Sequence, residues 1–299
     1  PFDPETGAPR SVSAVSFSDT FGDTMLQLGR REGRLCAITA AMPAGTGLTA
    51  FERAYPERTF DVGIAEGHAV SMAGGLAKAG MIPVVAIYST FLQRAYDMIL
   101  QDVAMLHLHV IFAVDRAGLV GEDGETHHGV FDVGFLRQVP GLTILCPGCR
   151  AELREMLIWA VQKCDGPVAI RYPRGGDGAF LTAGRETLFR VGRDITLVTY
   201  GTMINQVIPA ADRLAAQGIE AEVLRLRTIK PLDMEAVATS VRKTGRLLVV
   251  EEAQGVGSVG HELIEKLSQR GIPVIYGGQN IGDRFVTHGS LPELYHALS

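Results

Sequence analysis

Short apolar segments alternate with helical segments along nearly the whole chain, and this alternation limits the fold more than any other feature. Such segments, rich in Val and Ile, have the length of buried strands. They are RLCAITAAM (34–42), TFDVGIA (59–65), IPVVAIY (82–88), HVIFAVD (109–115), LTILCP (142–147), GPVAIRY (166–172), ITLVTYG (195–201), AEVLRL (221–226), GRLLVVEE (245–252) and IPVIYGG (272–278). Continuous apolar strands need cover on both faces, so the pattern predicts an α/β fold with mostly parallel sheets.

A polar, turn-rich stretch divides these segments into two groups and predicts two domains. We expect an α/β domain over residues 11–178, a linker over 179–192 and a smaller α/β domain over 193–299. Residues 1–10 are polar, contain Pro and Gly, and do not begin with Met. We interpret them as a linker, which favours the chain being a fragment of a longer protein.

Composition argues against several classes of protein. The net charge is -5 and the pI is about 5.9, so no basic surface suggests nucleic-acid binding. No apolar run reaches the ~20 residues that span a bilayer, and no signal peptide opens the chain. Four cysteines do not indicate a secreted disulfide framework. We therefore expect a cytoplasmic protein that binds neither nucleic acid nor membrane.

Glu66 is a lone acid between a predicted strand and a helix that is rich in Ala and Gly, HAVSMAGGLAKAG (68–80). Its plainest interpretation is an acid that stabilises the helix N-terminus, by ~0.3–1 kcal/mol. The small side chains indicate close packing, and a buried carboxylate there needs a cation, a proton or a specific hydrogen-bond donor. Ligands of parallel sheets bind beyond the carboxyl ends of strands. Glu66 is therefore also a candidate proton partner for a heterocyclic nitrogen of a ligand.

The next strand-to-helix turn, in AIYSTFLQRAYD (86–97), carries three further candidates. Tyr88 ends the strand, where its hydroxyl reaches the predicted cleft, and Phe91 offers a flat face to an aromatic ring. Arg94 either lines the same cleft or pairs with an acid such as Asp97 or Glu66.

A Gly-rich loop, DRAGLVGEDGETHHG (115–129), holds a dense set of titratable groups after the fourth strand, including Asp123 and His127. Loops of this kind at strand ends are where sites are built. Adjacent histidines rarely share one metal, and His127 and His128 have no third ligand at a recognised spacing, so we predict no metal site. Proton transfer or hydroxyl binding is the better interpretation for one of them.

Two arginines, Arg116 and Arg174, stand at strand ends and can converge on one anion. Paired guanidinium groups suit a phosphate or carboxylate. The spacing in CPGC (146–149) invites a redox interpretation, but its place before a helix is that of an ordinary helix start.

Several longer segments together resemble a known family. They are ITAAMPAGTGL (38–48), ERTFDVGIAEGHAV (57–70), AIYSTFLQRAYD (86–97), DRAGLVGEDGETHHG (115–129), AIRYPRG (169–175) and GDRFVTHGSLPEL (282–294). In this order they resemble the C-terminal half of the 1-deoxy-D-xylulose-5-phosphate synthases, within the transketolase-like thiamine-diphosphate enzymes. The resemblance implies a pyrimidine-binding domain followed by a transketolase C-terminal-like domain.

The resemblance also implies a reaction and a cofactor. Enzymes of this family decarboxylate pyruvate on thiamine diphosphate and join the remaining two carbons to D-glyceraldehyde 3-phosphate. The product is 1-deoxy-D-xylulose 5-phosphate, a precursor of isoprenoids and thiamine. By resemblance, Glu66 hydrogen-bonds the aminopyrimidine N1′ of the cofactor, Phe91 packs against that ring, and Arg94 lies beside the pocket.

The substrate residues carry over in the same way. The resemblance implies that Arg116 and Arg174 clamp the phosphate of the acceptor, with Tyr88 alongside. It places Asp123 and His127 near the hydroxyl and aldehyde of the acceptor, where His127 shuttles a proton.

Three positions depart from the family pattern, and one motif is missing. Gly67 and His128 each replace a usual Gln, and Gln101 stands where His is common. We identify no segment of the sequence as the counterpart of the family's GDG-type motif for Mg²⁺ and the cofactor diphosphate. We therefore expect a cofactor domain in the same chain or in a partner chain, and a homodimer.

Two other functions stay open. A split transketolase or a beta-type subunit of a 2-oxo-acid dehydrogenase has similar length and architecture. A non-catalytic dimerisation module could keep the fold, although it has no need of Glu66, Arg116 and Arg174 together.

Overall fold

A computed structural model describes residues 4, 6, 14–181 and 187–298, and these form two sheets with helices on their faces. The predicted linker over residues 1–10 therefore lies almost entirely outside the described residues. The mixed α/β class with mostly parallel sheets is confirmed. The strands are β1 (Leu35–Thr39), β2 (Thr59–Asp61), β3 (Ile82–Tyr88), β4 (Ile111–Asp115), β5 (Thr143–Leu145), β6 (Val168–Arg171), β7 (Leu188–Arg190), β8 (Ile195–Tyr200), β9 (Ala221–Leu226), β10 (Thr228–Lys230), β11 (Arg246–Val250) and β12 (Ile275–Gln279).

Within the described residues, the first sheet has seven strands in the order β10-β5-β6-β4-β3-β1-β2. All neighbours are parallel except β10, which runs antiparallel to β5. Strand β10 comes from the part of the chain expected to form only the smaller domain. The second domain thus adds an edge strand to the sheet of the first.

The second sheet has the order β12-β11-β8-β9-β7, again counting only described residues. Its one antiparallel edge strand, β7, falls within residues 179–192, which the sequence suggested were a linker. This edge strand has only three residues and polar neighbours, so it does not form a recognisable apolar segment in the sequence. Residues 182–186 of the same stretch lie outside the described residues.

Helices cover both faces of the sheets. They are α1 (Phe17–Gly29), α2 (Thr49–Ala54), α3 (Glu66–Lys78), α4 (Ser89–Leu92), α5 (Tyr96–Met98), α6 (Asp132–Arg137), α7 (Arg150–Lys163), α8 (Ile204–Ala215), α9 (Met234–Thr244), α10 (Val259–Gln269) and α11 (Leu291–Leu298). The sequence pattern of FLQRAYDMILQDVAM (91–105) predicts one helix. The structure winds this segment in pieces: α4, a 3₁₀ turn at Gln93–Ala95, α5 and a π segment at Ile99–Ala104.

Helix α3 packs closely, as its small residues suggested, and the contact lies inside the chain. A Cβ at Gly74 would stand 2.5 Å from the carbonyl oxygen of Asp102 in the π segment. Gly therefore permits the backbones to touch. Only one face of α3 is buried, because His68, Gly75 and Lys78 are exposed.

A buried ion pair joins the two domains. Glu152 of α7 accepts two hydrogen bonds from the Arg225 guanidinium of β9, at 2.9 and 2.7 Å, and both side chains are almost fully buried. Removing one partner of such a pair strands a charge in the interior, which costs several kcal/mol. This pair is one of the contacts that hold the second domain against the first, together with the pairing of β10 with β5.

Candidate active site

The candidate side chains follow the carboxyl ends of neighbouring strands in the first sheet. Glu66 begins α3 after β2, Tyr88 ends β3, Arg116 follows β4, and Arg174 follows β6. Because β6, β4, β3, β1 and β2 are consecutive in the sheet, these residues meet along one edge. This is the edge at which parallel sheets bind ligands.

Glu66 is buried, with 4% of its surface exposed, and it lines a cavity of about 500 Å³. Its Oε1 accepts a hydrogen bond of 2.7 Å from Nη1 of Arg94, whose side chain is 55% exposed. Of the two interpretations given to Arg94, pairing with Glu66 is therefore confirmed. Arg94 also lines the cavity, so it supplies the counter-charge without closing the space.

Aromatic rings form the wall of this cavity beside Glu66. Tyr88 and Phe91 stack with centroids 5.8 Å apart, and the Arg94 guanidinium lies 5.2 Å from the centroid of Phe91. Burial raises the pKa of the Tyr88 hydroxyl, and the cation of Arg116 opposes that shift. Tyr88 therefore acts as a neutral hydrogen-bonding group at neutral pH.

Arg116 is held against Tyr88 by an unusual backbone. It has a φ of +57°, which few residues other than Gly adopt. Its guanidinium lies 3.7 Å from the Tyr88 ring centroid and donates a 3.1 Å hydrogen bond to the carbonyl of Gly45. A Cβ at Gly45 would stand 1.9 Å from the Tyr88 hydroxyl oxygen, so a larger residue there would displace Tyr88. The positive φ of Arg116 is a strained backbone conformation, and such strain commonly marks a functional position.

Asp115, which the sequence analysis missed, fixes the base of Arg116. One carboxylate oxygen accepts the Arg116 backbone N–H at 2.7 Å, and the other accepts the Ser18 hydroxyl at 2.7 Å. Burial raises the pKa of the Asp115 carboxyl to about 6, although Arg116 and Ser18 favour its charged form. The sequence does contain a signal for Asp115: it is an acid at the end of an apolar strand, next to an arginine that was expected to bind an anion.

We expect Asp115→Asn to change how stability depends on pH. The native carboxyl has a pKa near 6 and its ordinary value is 3.8, so the native state binds this proton more tightly than the unfolded chain does. Its contribution to stability therefore falls as the pH rises from about 4 to about 6. Asn does not ionise, so relative to wild type the variant should gain about 2 kcal/mol between pH 4.5 and pH 7.

Urea unfolding of the complete protein at the two pH values measures this gain. Asp19→Asn is the control, because that carboxylate caps the exposed start of α1 through Ser16. A stability difference between Asp115→Asn and wild type that is the same at both pH values would contradict the prediction.

Arg174 and Asp123 form a second group above Tyr88. Nη1 of Arg174 lies 3.2 Å from Asp123 Oδ2 and donates a 3.0 Å hydrogen bond to the carbonyl of Val120. Both side chains are close to half exposed. The charges of Arg116, Arg174 and Asp123 each influence the pKa of the Tyr88 hydroxyl, so these four residues lie close to one another.

His127 joins the two groups. Its ring meets the edge of Phe91 with centroids 5.3 Å apart, and its Nδ1 lies 3.0 Å from the Thr126 hydroxyl. Thr90 donates a 2.8 Å hydrogen bond to the Thr126 carbonyl, which ties this part of the loop to α4. The sequence-predicted residues are therefore connected to one another through Tyr88 and Phe91.

The CPGC cysteines are not placed for redox chemistry. Cys146 and Cys149 are both fully buried, and burial raises the pKa of each thiol, to about 12 for Cys146. Thiolates are the reactive form, and burial suppresses them. Both residues serve as small apolar core residues instead.

The described residues contain neither a metal-binding cluster nor a membrane-spanning helix. In residues 4, 6, 14–181 and 187–298, no three His, Cys, Asp or Glu side chains gather as metal ligands do. No helix in that part of the chain combines the length and apolar character that crossing a bilayer requires.

Comparison with known families supports the fold. The model of the transketolase pyrimidine-binding domain matches residues 13–176, more than half of the chain. The chain belongs to the transketolase pyrimidine-binding domain family. The transketolase C-terminal domain matches residues 185–299, so the transketolase architecture extends through both sheets.

Curated relatives narrow the resemblance within the transketolases. The 1-deoxy-D-xylulose-5-phosphate synthase of Thermomicrobium roseum is 49% identical over 96% of this chain and 47% of its own length. The synthase of Heliobacterium modesticaldum is 46% identical over 98% of this chain and 47% of its own. The resemblance to these synthases is confirmed, and the chain spans about half the length of the curated relatives it matches.

A solved transketolase structure has the same fold. It is a split-gene transketolase described as an inactive beta4 tetramer, with a TM-score of 0.83 and 29% identity. The match covers 95% of this chain and 94% of that one.

Proposed function

We propose that, within the complete protein, this chain forms the pyrimidine side of a 1-deoxy-D-xylulose-5-phosphate synthase site. The reaction would condense pyruvate, with loss of carbon dioxide, and D-glyceraldehyde 3-phosphate to give 1-deoxy-D-xylulose 5-phosphate. One observation carries the proposal: a buried carboxylate, Glu66, opens onto a cavity that also reaches Tyr88 and Phe91, next to two arginines. The identity of the curated relatives supports the choice of reaction.

The residues around the cavity fit the aminopyrimidine ring of thiamine diphosphate. The lining is mostly apolar, with Phe91 as an aromatic wall and Glu66 as its buried carboxylate. A flat heterocycle with one basic nitrogen matches this combination of a face and a single proton partner. When bound, the cofactor supplies an electron sink for the carbanion left by decarboxylation.

Within this arrangement Glu66 would hold a proton at the ring nitrogen N1′. Arg94 would balance the charge of Glu66 from the exposed side, and Phe91 would fix the plane of the ring. The apolar lining would keep water from the reacting carbon, which strengthens the hydrogen bond of Glu66.

We assign the acceptor to the cleft above Tyr88. Arg116 and Arg174 would bind its phosphate, and the neutral Tyr88 hydroxyl would donate a further hydrogen bond. Asp123 would accept a hydrogen bond from the acceptor hydroxyl. His127, which is partly exposed at the edge of Phe91, would carry a proton to the aldehyde oxygen as the new carbon–carbon bond forms.

We also propose the assembly that the sequence led us to expect. The cofactor diphosphate and Mg²⁺ would bind to a further domain, in the same chain or in a partner chain. Ile64 lines the Glu66 cavity with 81% of its surface exposed, which supports a cover from outside the described residues. We propose a homodimer in the cytoplasm, divided into domains at residues 11–178 and 193–299 with a linker between them. The four free thiols support the reducing compartment.

A split transketolase is the second candidate. The split-gene transketolase structure, which matches over nearly all of both chains, favours it. Such an enzyme would take its two carbons from a ketose phosphate and not from pyruvate. The beta-type dehydrogenase subunit and the non-catalytic module have no comparable observation in their favour.

An assay of the complete protein with thiamine diphosphate and Mg²⁺ tests the proposal. We expect carbon dioxide release from pyruvate that depends on D-glyceraldehyde 3-phosphate, together with formation of 1-deoxy-D-xylulose 5-phosphate. Turnover of a ketose phosphate donor in place of pyruvate would contradict this result and identify a transketolase. An absence of turnover with either donor, when the cofactor is bound, would indicate the non-catalytic module.

A further inference from the structure

The Gly-rich loop over residues 115–129 is attached to the second domain by a buried histidine, His128, which has no part in the function proposed above. Only 4% of His128 is exposed. Its Nδ1 accepts a 3.1 Å hydrogen bond from the backbone N–H of Val120, and its Nε2 lies 3.1 Å from the carbonyl oxygen of Thr287. Thr287 lies beyond β12, in the second domain. The imidazole thus joins two parts of the loop, at Val120 and at His128 itself, to Thr287 of the second domain.

The two contacts determine the form of the imidazole. A nitrogen that accepts from a backbone N–H carries no proton, and one that bonds a carbonyl must donate. His128 is therefore neutral, with its proton on Nε2. Both nitrogens are used, so any side chain at position 128 must offer one acceptor and one donor to keep both bonds.

The loop is shaped around this ring. A Cβ at Gly124 would stand 2.3 Å from His128 Nε2, so Gly124, the residue directly after the turn Gly121–Asp123, packs on the imidazole. That turn ends at Asp123, the partner of Arg174. Moving the ring would therefore move the backbone that carries Asp123.

Val120 connects the ring to the arginine. Its N–H is held by His128, and its carbonyl accepts the 3.0 Å hydrogen bond from Arg174. Thr287, His128, Val120 and Arg174 thus form a continuous chain of hydrogen bonds from the second domain to the acceptor cleft.

Apolar contacts reinforce the same attachment. Leu119 of the loop and Val130, which directly follows it, pack with Ile281, Val286 and Leu294 of the second domain in one buried cluster. These apolar contacts attract the loop to the domain but are not directional. The hydrogen bonds of His128 have a defined geometry, so they set the position of the loop against the domain.

We propose that His128 is a positioning residue, which uses the second domain as an anchor to set Asp123 and Arg174 at the acceptor cleft. It touches neither cofactor nor substrate and acts through Val120 and Gly124. The inference rests on the proposed function for its effect on the acceptor, whereas its effect on the loop stands independently. In this proposal the second domain contributes to the reaction by holding the loop over residues 115–129 in position.

The test compares His128→Ala and His128→Gln in the complete protein. Ala removes both hydrogen bonds, so we expect the KM for D-glyceraldehyde 3-phosphate to rise about five- to tenfold, the effect of losing a net hydrogen bond. The KM for pyruvate and kcat should stay within about twofold, since the cofactor side keeps its contacts. Gln offers one acceptor and one donor, so it should restore most of the acceptor affinity.

His109→Ala is the matched control. His109 is half-buried and its Nε2 lies 2.8 Å from the carbonyl oxygen of Ala160, so it loses a similar bond far from the loop. Its acceptor KM should not change. Equal rises of both KM values in His128→Ala, or no recovery with Gln, would overturn the proposal.

Hydrogen exchange separates this inference from the proposed reaction. Amides of residues 117–130 should exchange faster in His128→Ala than in wild type or His128→Gln, with no substrate present. If wild type forms no 1-deoxy-D-xylulose 5-phosphate, the proposed function fails but the exchange result still decides whether His128 positions the loop. Unchanged exchange in this loop would overturn the inference even in an active enzyme.

Discussion

Glu66→Gln should lower kcat for 1-deoxy-D-xylulose 5-phosphate formation by about 10³-fold, within the range that general acid–base groups contribute. Gln has the shape of Glu and can still accept the hydrogen bond from Arg94. It has no charge with which to hold a proton at the ring nitrogen of the cofactor. The loss should therefore appear in kcat for every acceptor, with little change in the KM for either substrate.

The chain offers a close control for this variant in Glu235→Gln. Glu235 also lies in the first turn of a helix, α9, and accepts a hydrogen bond of 2.7 Å from an arginine, Arg270. It is exposed and lies in the second domain, so this variant should keep full activity. If both Glu variants lose activity equally, the loss reflects the helix or the ion pair, and Glu66 is not a proton partner.

Measuring folding separates the two explanations further. Thermal unfolding of Glu66→Gln should stay close to that of wild type, because the variant adds no charge and leaves no cavity. A kcat that falls only in step with the melting temperature would contradict the assignment. A large fall in kcat with unchanged unfolding would leave proton exchange as the role of this carboxylate.

The strands of both domains could be predicted from the sequence because burial on two faces leaves a clear apolar pattern. The central strands β3, β4 and β8 lie within the segments expected for them. The two antiparallel edge strands, β7 and β10, were not predicted. Each has three residues, and each is held by a neighbour distant in sequence, so local pattern carries little information about it.

The helix after β3 shows a different limit. Its apolar spacing predicts one continuous helix, yet the structure winds it through 3₁₀ and π segments. The π segment lies where Gly74 of α3 touches the Asp102 carbonyl. Close packing between two segments thus decides the winding, and the sequence of either segment alone does not show it.

Candidate site residues could be proposed from the sequence where a suitable residue type stands at a strand end. Glu66, Tyr88 and Arg116 were found in this way, because strand order brings neighbouring carboxyl ends together. The groups that support them were missed. Asp115 was read only as the end of a strand, and His128 only as a poor metal ligand, since their partners, Ser18 and Thr287, are distant in the chain.

Arg116→Ala should reduce kcat/KM for D-glyceraldehyde 3-phosphate by about 10²-fold, since a hydrogen bond to a charged group contributes ~1.5–3 kcal/mol. The guanidinium is already aimed, by its stacking on Tyr88 and its bond to Gly45, so binding the phosphate requires little rearrangement. Arg116→Lys should recover only part of this loss, because an ammonium neither stacks on Tyr88 nor forms two parallel hydrogen bonds.

The acceptor itself provides the control for Arg116→Ala. D-Glyceraldehyde lacks the phosphate, so wild type should use it poorly, and the variant should use it almost as well as wild type does. The KM for pyruvate should be the same in both proteins. A loss of equal size with the two acceptors would show that Arg116 supports Tyr88 or the loop and does not bind the phosphate. A loss confined to the phosphorylated acceptor would assign the phosphate to Arg116, and with it the choice of a sugar phosphate as the second substrate.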